Sequence, residues 1–399
     1  MLHVIIYSNF PKSSGGRDNW LYNIIKITNE NKIPVTIYSY FSLGKDFYEV
    51  KSFKYLRLVK IPSLRVFGKI FLIINKLMFN LPNLFDSFFI FNPMVKAAVR
   101  KSFSGGDTLL AMNSIIELKP IISDRDRLKD CRIFCSVRGQ VIRELSEKAP
   151  WLYESFVNME RDLLPKCDGI ISNGYDTKNY LDERGYKNVV VPNGVDVKRF
   201  YRPDFERKRL LEKIGIKNGK TKIIIMVASL RKIKGINDLL KTAEQMKNAY
   251  SQDPYKFVVV GKGSTIKFRD LLKTGGLEDD IIFLGERKDI PELLSLSDVV
   301  LCLSQGSGMS MSALEAMAAC KPIVAWNTPV YQQLIINGES GLMVPFANHK
   351  RVAEAVREAL VSPELSSRLG KNAFKSVQKY SWGSVYKRFS EVIDLEEKL

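Results

Sequence analysis

The stretch SQGSGMSMSALEAMAACKPI, residues 304–323, joins a Gly/Ser-rich turn to a helical pattern carrying one acidic residue, Glu315. A helix start directs backbone N–H groups and a partial positive charge into the turn ahead of it, which suits a phosphate. A carboxylate about two turns into the helix can accept hydrogen bonds from neighbouring hydroxyls, such as those of a ribose. The same residues also suit an ordinary Ser/Gly helix start with a solvated glutamate. The choice rests on what surrounds them.

Outward from this stretch, strand and helix patterns alternate twice over. The first series has strand-like runs LHVIIYS, VTIYSYF, TLLAMN, RIFCSV, GIISN and NVVVPNG, with helical patterns such as 19–30 and 153–165 between them. The second runs through KIIIMVAS, KFVVVGKG, IIFLGE, DVVLCLS, KPIVAW and GLMVP, with helical segments near 235–249, 266–274, 290–297 and 352–360. The expected fold is therefore α/β, two Rossmann-like doubly wound domains in tandem. The join falls in VPNGVDVKRFYRPDFERK (191–208), where Pro192, Asn193 and Gly194 make a turn and Pro203 sits in a polar stretch. The expected domains are 1–195 and 196–380, with a C-terminal helix at about 381–399 free to pack back on the first.

With 399 residues and 45% hydrophobic content, the chain can bury two cores of ordinary size. Its five cysteines form no CxxC pair, and two histidines leave little for a transition metal, so no metal site and a reducing, cytoplasmic setting are expected. MLHVIIYSNF lacks a basic leader and a small-residue cleavage site, and reads as a buried first strand rather than a signal peptide.

The net charge of +18 is uneven. Residues 51–101 hold seven Lys and three Arg against Asp86 alone, a net +9. Those cations are interleaved with LRVFGKIFLIINKLMF (64–79) and LFDSFFIFNPM (84–94). Neither run reaches the roughly 18 uninterrupted apolar residues of a spanning helix. Short, cationic and aromatic together describe a surface that lies on anionic lipid, although an amphipathic core helix with a solvated lysine face fits equally well. Nucleic acid is not an expected partner.

In open parallel sheets, ligands bind at the carboxyl ends of strands. Gly15 and Gly16 in PKSSGGRDNW allow close backbone approach after the first strand and open a helix. LRKIKGIND sets Arg231, Lys232 and Lys234 at a helix start, where the macrodipole disfavours cations, which makes sense if an anion sits among them. Gly261 and Gly263 in VVVGKGS follow another strand and suit either a ligand or a plain turn.

With these loops in place, the chain resembles the retaining GT-B glycosyltransferases of glycosyltransferase family 4. The likeness is carried, in order, by the N-terminal GG loop, VPNGVD (191–196), LRKIKG (230–235), VVVGKG (258–263), IIFLGE (281–286), SDVVLCLS (297–304), ALEAMAACKPIVA (313–325), NGESGLMVP (337–345) and YSW (380–382). The resemblance implies two domains that close over a nucleotide-activated sugar, UDP- or GDP-linked, the second domain holding the nucleotide and the first the acceptor. It implies Glu315, matching the second Glu of the family's E-x7-E signature, as the ribose acceptor. Lys234 becomes the diphosphate-neutralising lysine, and Gly16 the glycine approaching from the first domain. Gly308, Met309, Ser310 and Met311 then surround the donor phosphates or sugar.

Three positions depart from that pattern. Ser307 stands where the first Glu of E-x7-E is expected, Ser229 where an arginine is usual (with Arg231 two residues on), and Arg138 where a histidine often follows the fourth strand. A serine cannot accept with ionic strength from sugar hydroxyls, so the sugar is expected to be held differently, Arg138 supplying polarity or meeting an anion. The implied activity is sugar transfer to a glycan or lipid-linked acceptor in the assembly of cell-surface polysaccharide, glycolipid or glycoprotein glycan. A catalytically silent binding protein and a sugar-nucleotide epimerase are the alternatives. No cofactor beyond the donor is implied, and peripheral placement on the inner membrane face follows from residues 51–101.

Each basic residue near an anionic surface contributes about 1 kcal/mol within a Debye length of roughly 8 Å. Co-sedimentation with vesicles should therefore rise with anionic lipid content and fall with salt. Reversing Lys69 and Lys76 to Glu should weaken it while leaving nucleotide affinity intact; equal binding by the double variant would rule out membrane recruitment by this segment.

Overall fold

The computed structural model describes residues 1–9, 16–40, 50, 52–60, 92–112, 115–138, 150–203, 206–251 and 253–395. Gly15, Lys69, Lys76 and most of the basic aromatic segment lie outside the described residues. The chain divides into two compact units, Met1–Asn193 with Trp382–Leu399, and Gly194–Ser381.

The first unit is a seven-stranded parallel sheet in the order β3-β2-β1-β4-β5-β6-β7. Its strands are β1 (Leu2–Asn9), β2 (Val35–Tyr40), β3 (Leu56–Lys60), β4 (Thr108–Met112), β5 (Arg132–Val137), β6 (Gly169–Ser172) and β7 (Val189–Val190). The central strands read as continuous apolar runs because helices cover both sheet faces. Leu2, Val4, Ile5 and Ile6 of β1 are all fully buried. So is His3, which meets the Tyr38 hydroxyl at 3.2 Å and the Asp107 carboxylate at 3.2 Å.

Two described parts of the 51–101 segment are elements of this unit. Leu56–Lys60 pairs with β2 as the sheet's edge, and Asn92–Ser102 is a helix. An edge strand of five residues containing Arg57 and Lys60 does not stand out beside longer apolar strands, which is why its sequence reads as charge rather than sheet. In the other direction, NVVVPNG contributes only two residues of strand.

The helix Trp382–Ile393 belongs to the first unit although it ends the described chain. Val385, Tyr386, Phe389 and Ile393 are buried among Trp20, Leu21 and Ile24 of the helix Gly16–Glu30. Phe389 meets Trp20 edge-on, ring centres 5.3 Å apart. Arg132 of β5 donates to the Asp394 carboxylate at 2.6 Å and to its carbonyl at 2.8 Å, fixing the end of the helix.

The second unit is a six-stranded parallel sheet ordered β10-β9-β8-β11-β12-β13. These strands are β8 (Lys222–Val227), β9 (Tyr255–Val260), β10 (Ile281–Gly285), β11 (Val299–Cys302), β12 (Ile323–Trp326) and β13 (Leu342–Val344). Its core gathers Ile223–Met226, Val258–Val260 and Val299–Leu303 with Ala313, Leu314, Ala316 and Met317. Asp298, just ahead of β11, accepts from Arg207 Nη2 and from the Ile223 backbone N–H, each at 2.8 Å, and so ties β11 to the start of β8.

The second unit's strand order reverses between β8 and β11. The connection leaving β8 runs towards β9, and the one leaving β11 runs towards β12. The carboxyl ends of this central pair therefore flank a crevice that neither connection crosses, the position where ligands bind in open α/β sheets.

Truncating Phe389 to Ala should destabilise the first unit by about 3–5 kcal/mol, the cost of removing a fully buried aromatic ring. Urea unfolding followed by tryptophan fluorescence measures it. A loss under about 1 kcal/mol would mean that the terminal helix is no part of that unit's core.

Candidate functional site

At the carboxyl end of β8, Ala228–Leu230 continues into a short 3-10 turn, Lys232–Lys234, before the helix Ile236–Tyr250 begins. Gly235 separates the turn from the helix at φ 81°, and a Cβ there would lie 2.2 Å from the Leu303 carbonyl oxygen. That glycine lets the β8 loop press against the end of β11, which no other residue allows without displacing backbone. Gln305 N–H donates to the Ile233 carbonyl at 2.8 Å, and the Ser304 hydroxyl donates to it at 3.3 Å. The two loops flanking the reversal are thus one hydrogen-bonded body.

This junction positions Lys234. Its ammonium lies over the β11 loop, 3.8 Å from where a Cβ on Gly306 would stand. Lys234 is half-buried, whereas Arg231 and Lys232 are exposed. Arg231 Nε donates to the Ser229 hydroxyl at 3.2 Å, so the serine in the arginine's usual place orients the neighbouring guanidinium. The cations stand on the 3-10 turn ahead of the long helix, not in its first turn.

The β11 loop then turns at Gly308 (φ 85°) and enters the helix Met311–Ala318. Ser310 is its N-cap, accepting from the Ala313 N–H at 3.3 Å. Met309 is buried and anchors the loop from below, and Ser304 N–H donates to the Tyr331 hydroxyl at 3.0 Å. Burial raises the Tyr331 phenol well above the ordinary tyrosine value, so it stays neutral and acts as a fixed acceptor. The loop's backbone is held before any ligand arrives.

Glu315 sits five residues into this helix, just over one turn from its start and nearer the loop than the sequence spacing suggested. It is half-buried, and burial pushes its carboxyl up to about 7, with Arg199 pulling it back down. Arg199 comes from the short helix Val197–Phe200, whose Asp196 caps it. A desolvated carboxylate near a helix start is suited to accept from neutral hydroxyl donors.

Ser307 is exposed on the same loop, between Gly306 and Gly308. Gly261 and Gly263, at φ 155° and 149°, bring the β9 loop against the β8 loop: a Cβ at Gly261 would lie 2.1 Å from the Ala228 carbonyl oxygen. Their observed contacts are loop-to-loop packing. In the first unit, Gly16 opens the helix Gly16–Glu30, and Arg138 follows β5 half-buried, its guanidinium 3.6 Å above the Trp20 ring. Arg138 is thus no loose surface arginine.

Sequence reasoning missed the support behind the β11 loop. Gln305 Nε2 donates to Asp238 at 3.1 Å, and Asp238 meets His349 Nε2 at 2.9 Å on its other oxygen. The His349 ring in turn packs edge-on against Trp326. Asp238 and His349 are 111 positions apart, so no local pattern joins them. Arg199 was passed over for the same reason.

Residues 207–376, all within the second unit, match the family described as "Glycosyl transferases group 1". The N-acetyl-alpha-D-glucosaminyl L-malate synthase of Bacillus anthracis is 27% identical over 188 residues, 47% of this chain and 48% of that protein. The N,N'-diacetylbacillosaminyl-diphospho-undecaprenol alpha-1,3-N-acetylgalactosaminyltransferase of Campylobacter jejuni is 28% identical over 211 residues, 52% of this chain and 54% of that one. The chain spans about half the length of the curated relatives it matches. Over the whole length, the structure of Anabaena Alr3699/HepE in complex with UDP-glucose aligns with a TM-score of 0.75 at 15% identity, covering 98% of this chain and 99% of that one. The fold of the two units is that of the GT-B glycosyltransferases.

The raised Glu315 carboxyl gives a pH dependence of known sign. The folded state holds its proton up to about 7 while the unfolded chain releases it near the ordinary value of 4.5, so stability falls as pH rises through that window and levels off above it. Glu315→Gln should remove this share of the decline. If chemical denaturation between pH 5 and 8 gives parallel curves for the two proteins, Glu315 is not desolvated in the folded state.

Proposed function

We propose that this protein is a retaining glycosyltransferase that moves a sugar from a nucleotide-diphosphate donor, UDP- or GDP-linked, to a glycan or lipid-linked acceptor. The observation that carries this reading is the meeting, at the β8/β11 reversal, of the Lys234 ammonium, the Gly/Ser-rich loop around Gly306 and the start of the helix Met311–Ala318. Support comes from the match over residues 207–376 and from a fold shared with proteins solved with UDP and UDP-glucose. A relative whose name specifies a diphospho-undecaprenol substrate favours a lipid-linked acceptor.

In this reading the diphosphate lies along the β11 loop. As the bond to the sugar breaks, negative charge grows on the departing phosphate oxygen, and Lys234, Arg231 and the helix start stabilise it without reorganising. Glu315 accepts from the ribose hydroxyls, whose donation favours the ionised form that burial disfavours. The acceptor hydroxyl attacks on the face the diphosphate leaves and passes its proton to the leaving phosphate. Ser307 offers no carboxylate to the sugar hydroxyls and no ready nucleophile, so the sugar is held chiefly by backbone donors from Met309 to Met311. Among the described residues no helix is long and apolar enough to cross a membrane. In this proposal, residues 51–101 bring the enzyme to the membrane surface instead.

A second reading, a GT-B protein that binds a nucleotide sugar without transferring it, is favoured by one observation, the exposed Ser307 in place of a glutamate. Release of nucleoside diphosphate with formation of a larger glycan or glycolipid separates the two readings.

Lys234→Ala should lower turnover by about a hundredfold or more, the usual effect of losing one oxyanion-stabilising donor. Its fold should be unchanged by circular dichroism. Near-native turnover in the folded variant would remove Lys234 from the reaction.

A further inference from the structure

Arg138 stands at the carboxyl end of β5 in the first unit, and its environment is unusual for a cation. Its Nε donates to the Ser136 hydroxyl at 3.1 Å and its Nη1 to the Asn193 side-chain oxygen at 3.0 Å, both neutral acceptors. The Trp20 ring lies flat beneath the guanidinium at 3.6 Å, and Trp20 is itself fixed by donating from Nε1 to the Pro192 carbonyl at 3.0 Å. Nη2 is sealed from solvent and meets no acceptor among the described residues. Burial pulls the group well below the ordinary arginine value, and no carboxylate among the described residues offsets it.

A guanidinium stays protonated under all ordinary conditions, and a desolvated charge without a counter-charge is strongly disfavoured. Such an arrangement is expected where an incoming anion completes the pairing. Three features make it a built site. The guanidinium is aimed by two hydrogen bonds and a stacked indole, one donor nitrogen is left over, and the Gly16–Glu30 helix that supplies Trp20 starts at the same sheet edge, after β1. A planar fork with a spare N–H pair matches the oxygens of a phosphate or carboxylate.

We propose that the first unit carries an anion subsite built on Arg138, which takes a phosphate or carboxylate group. Calling that group part of the sugar acceptor rests on the glycosyltransferase reading; the subsite itself does not. An acceptor bearing such a group would be selected over a neutral analogue because only the anion relieves the unpaired guanidinium.

Anion binding can be measured without any sugar transfer. Calorimetric titrations with inorganic phosphate and with succinate would be run on the full chain carrying Lys234→Ala, which weakens phosphate binding in the second unit, and on the same chain with Arg138→Gln added. The expected result is binding of at least one anion that weakens tenfold or more when Arg138 is replaced. Phosphate alone identifies a phosphorylated ligand, succinate alone a carboxylate, and both a site for either. Arg138→Lys should keep part of the affinity, since it keeps the charge and loses the fork. If Arg138→Gln does not fold, the indole beneath the guanidinium gives a second readout. The anion should change tryptophan fluorescence in the Lys234→Ala chain, and that change should vanish with Trp20→Phe. Binding unaffected by Arg138, or an anion-induced signal that survives loss of Trp20, would overturn the assignment.

Discussion

The candidate site depends on one close approach: the backbone of Gly235 against the Leu303 carbonyl. Strand order alone leaves a crevice between the ends of β8 and β11, but a crevice between two independent loops would not hold a charged ligand to a fixed geometry. Because residue 235 has no side chain, the β8 loop reaches the β11 loop and the Ile233 carbonyl is shared by Ser304 and Gln305. The lysine one residue before that glycine is thereby set over the Gly306 backbone. Behind it, Asp238 and His349 brace Gln305, and Tyr331 braces Ser304. The site is arranged in advance, which is what charge stabilisation in a transition state requires.

The two units use their carboxyl edges differently. In the second, cations and a helix start surround an open loop, and the Glu315 carboxyl is kept partly desolvated with Arg199 close by. In the first, the half-buried Arg138 guanidinium is held by neutral groups, with its Nη2 sealed from solvent. The arrangement in the second unit fits a ligand carrying several negative charges and hydroxyls, and that in the first unit fits one small anionic group.

Much of this was legible in the sequence for a physical reason. Strands covered by helices on both faces read as unbroken apolar runs, so β1, β4, β5, β8, β9, β11 and β12 announce themselves. Gly and Ser clusters at their ends mark the loops. The edge strand Leu56–Lys60 did not announce itself, because exposure at an edge allows charge. Gly261 and Gly263, whose pattern suits a ligand or a plain turn, bring two loops together in the structure. Side chains that meet only through the fold were beyond the reach of local pattern. The Gln305–Asp238–His349 brace, the pull of Arg199 on Glu315, and the stacking of Arg138 on Trp20 each join residues from separate elements.

The central claim, that the β8/β11 reversal is built for a nucleoside diphosphate, is tested most directly by a crystal structure of the protein soaked with UDP and, separately, with GDP. The account predicts that at least one of them binds with its diphosphate between Lys234 and the Ser310–Ala313 helix start and its ribose hydroxyls on Glu315. A diphosphate bound elsewhere in the second unit, or neither nucleotide bound at millimolar concentration, would contradict it.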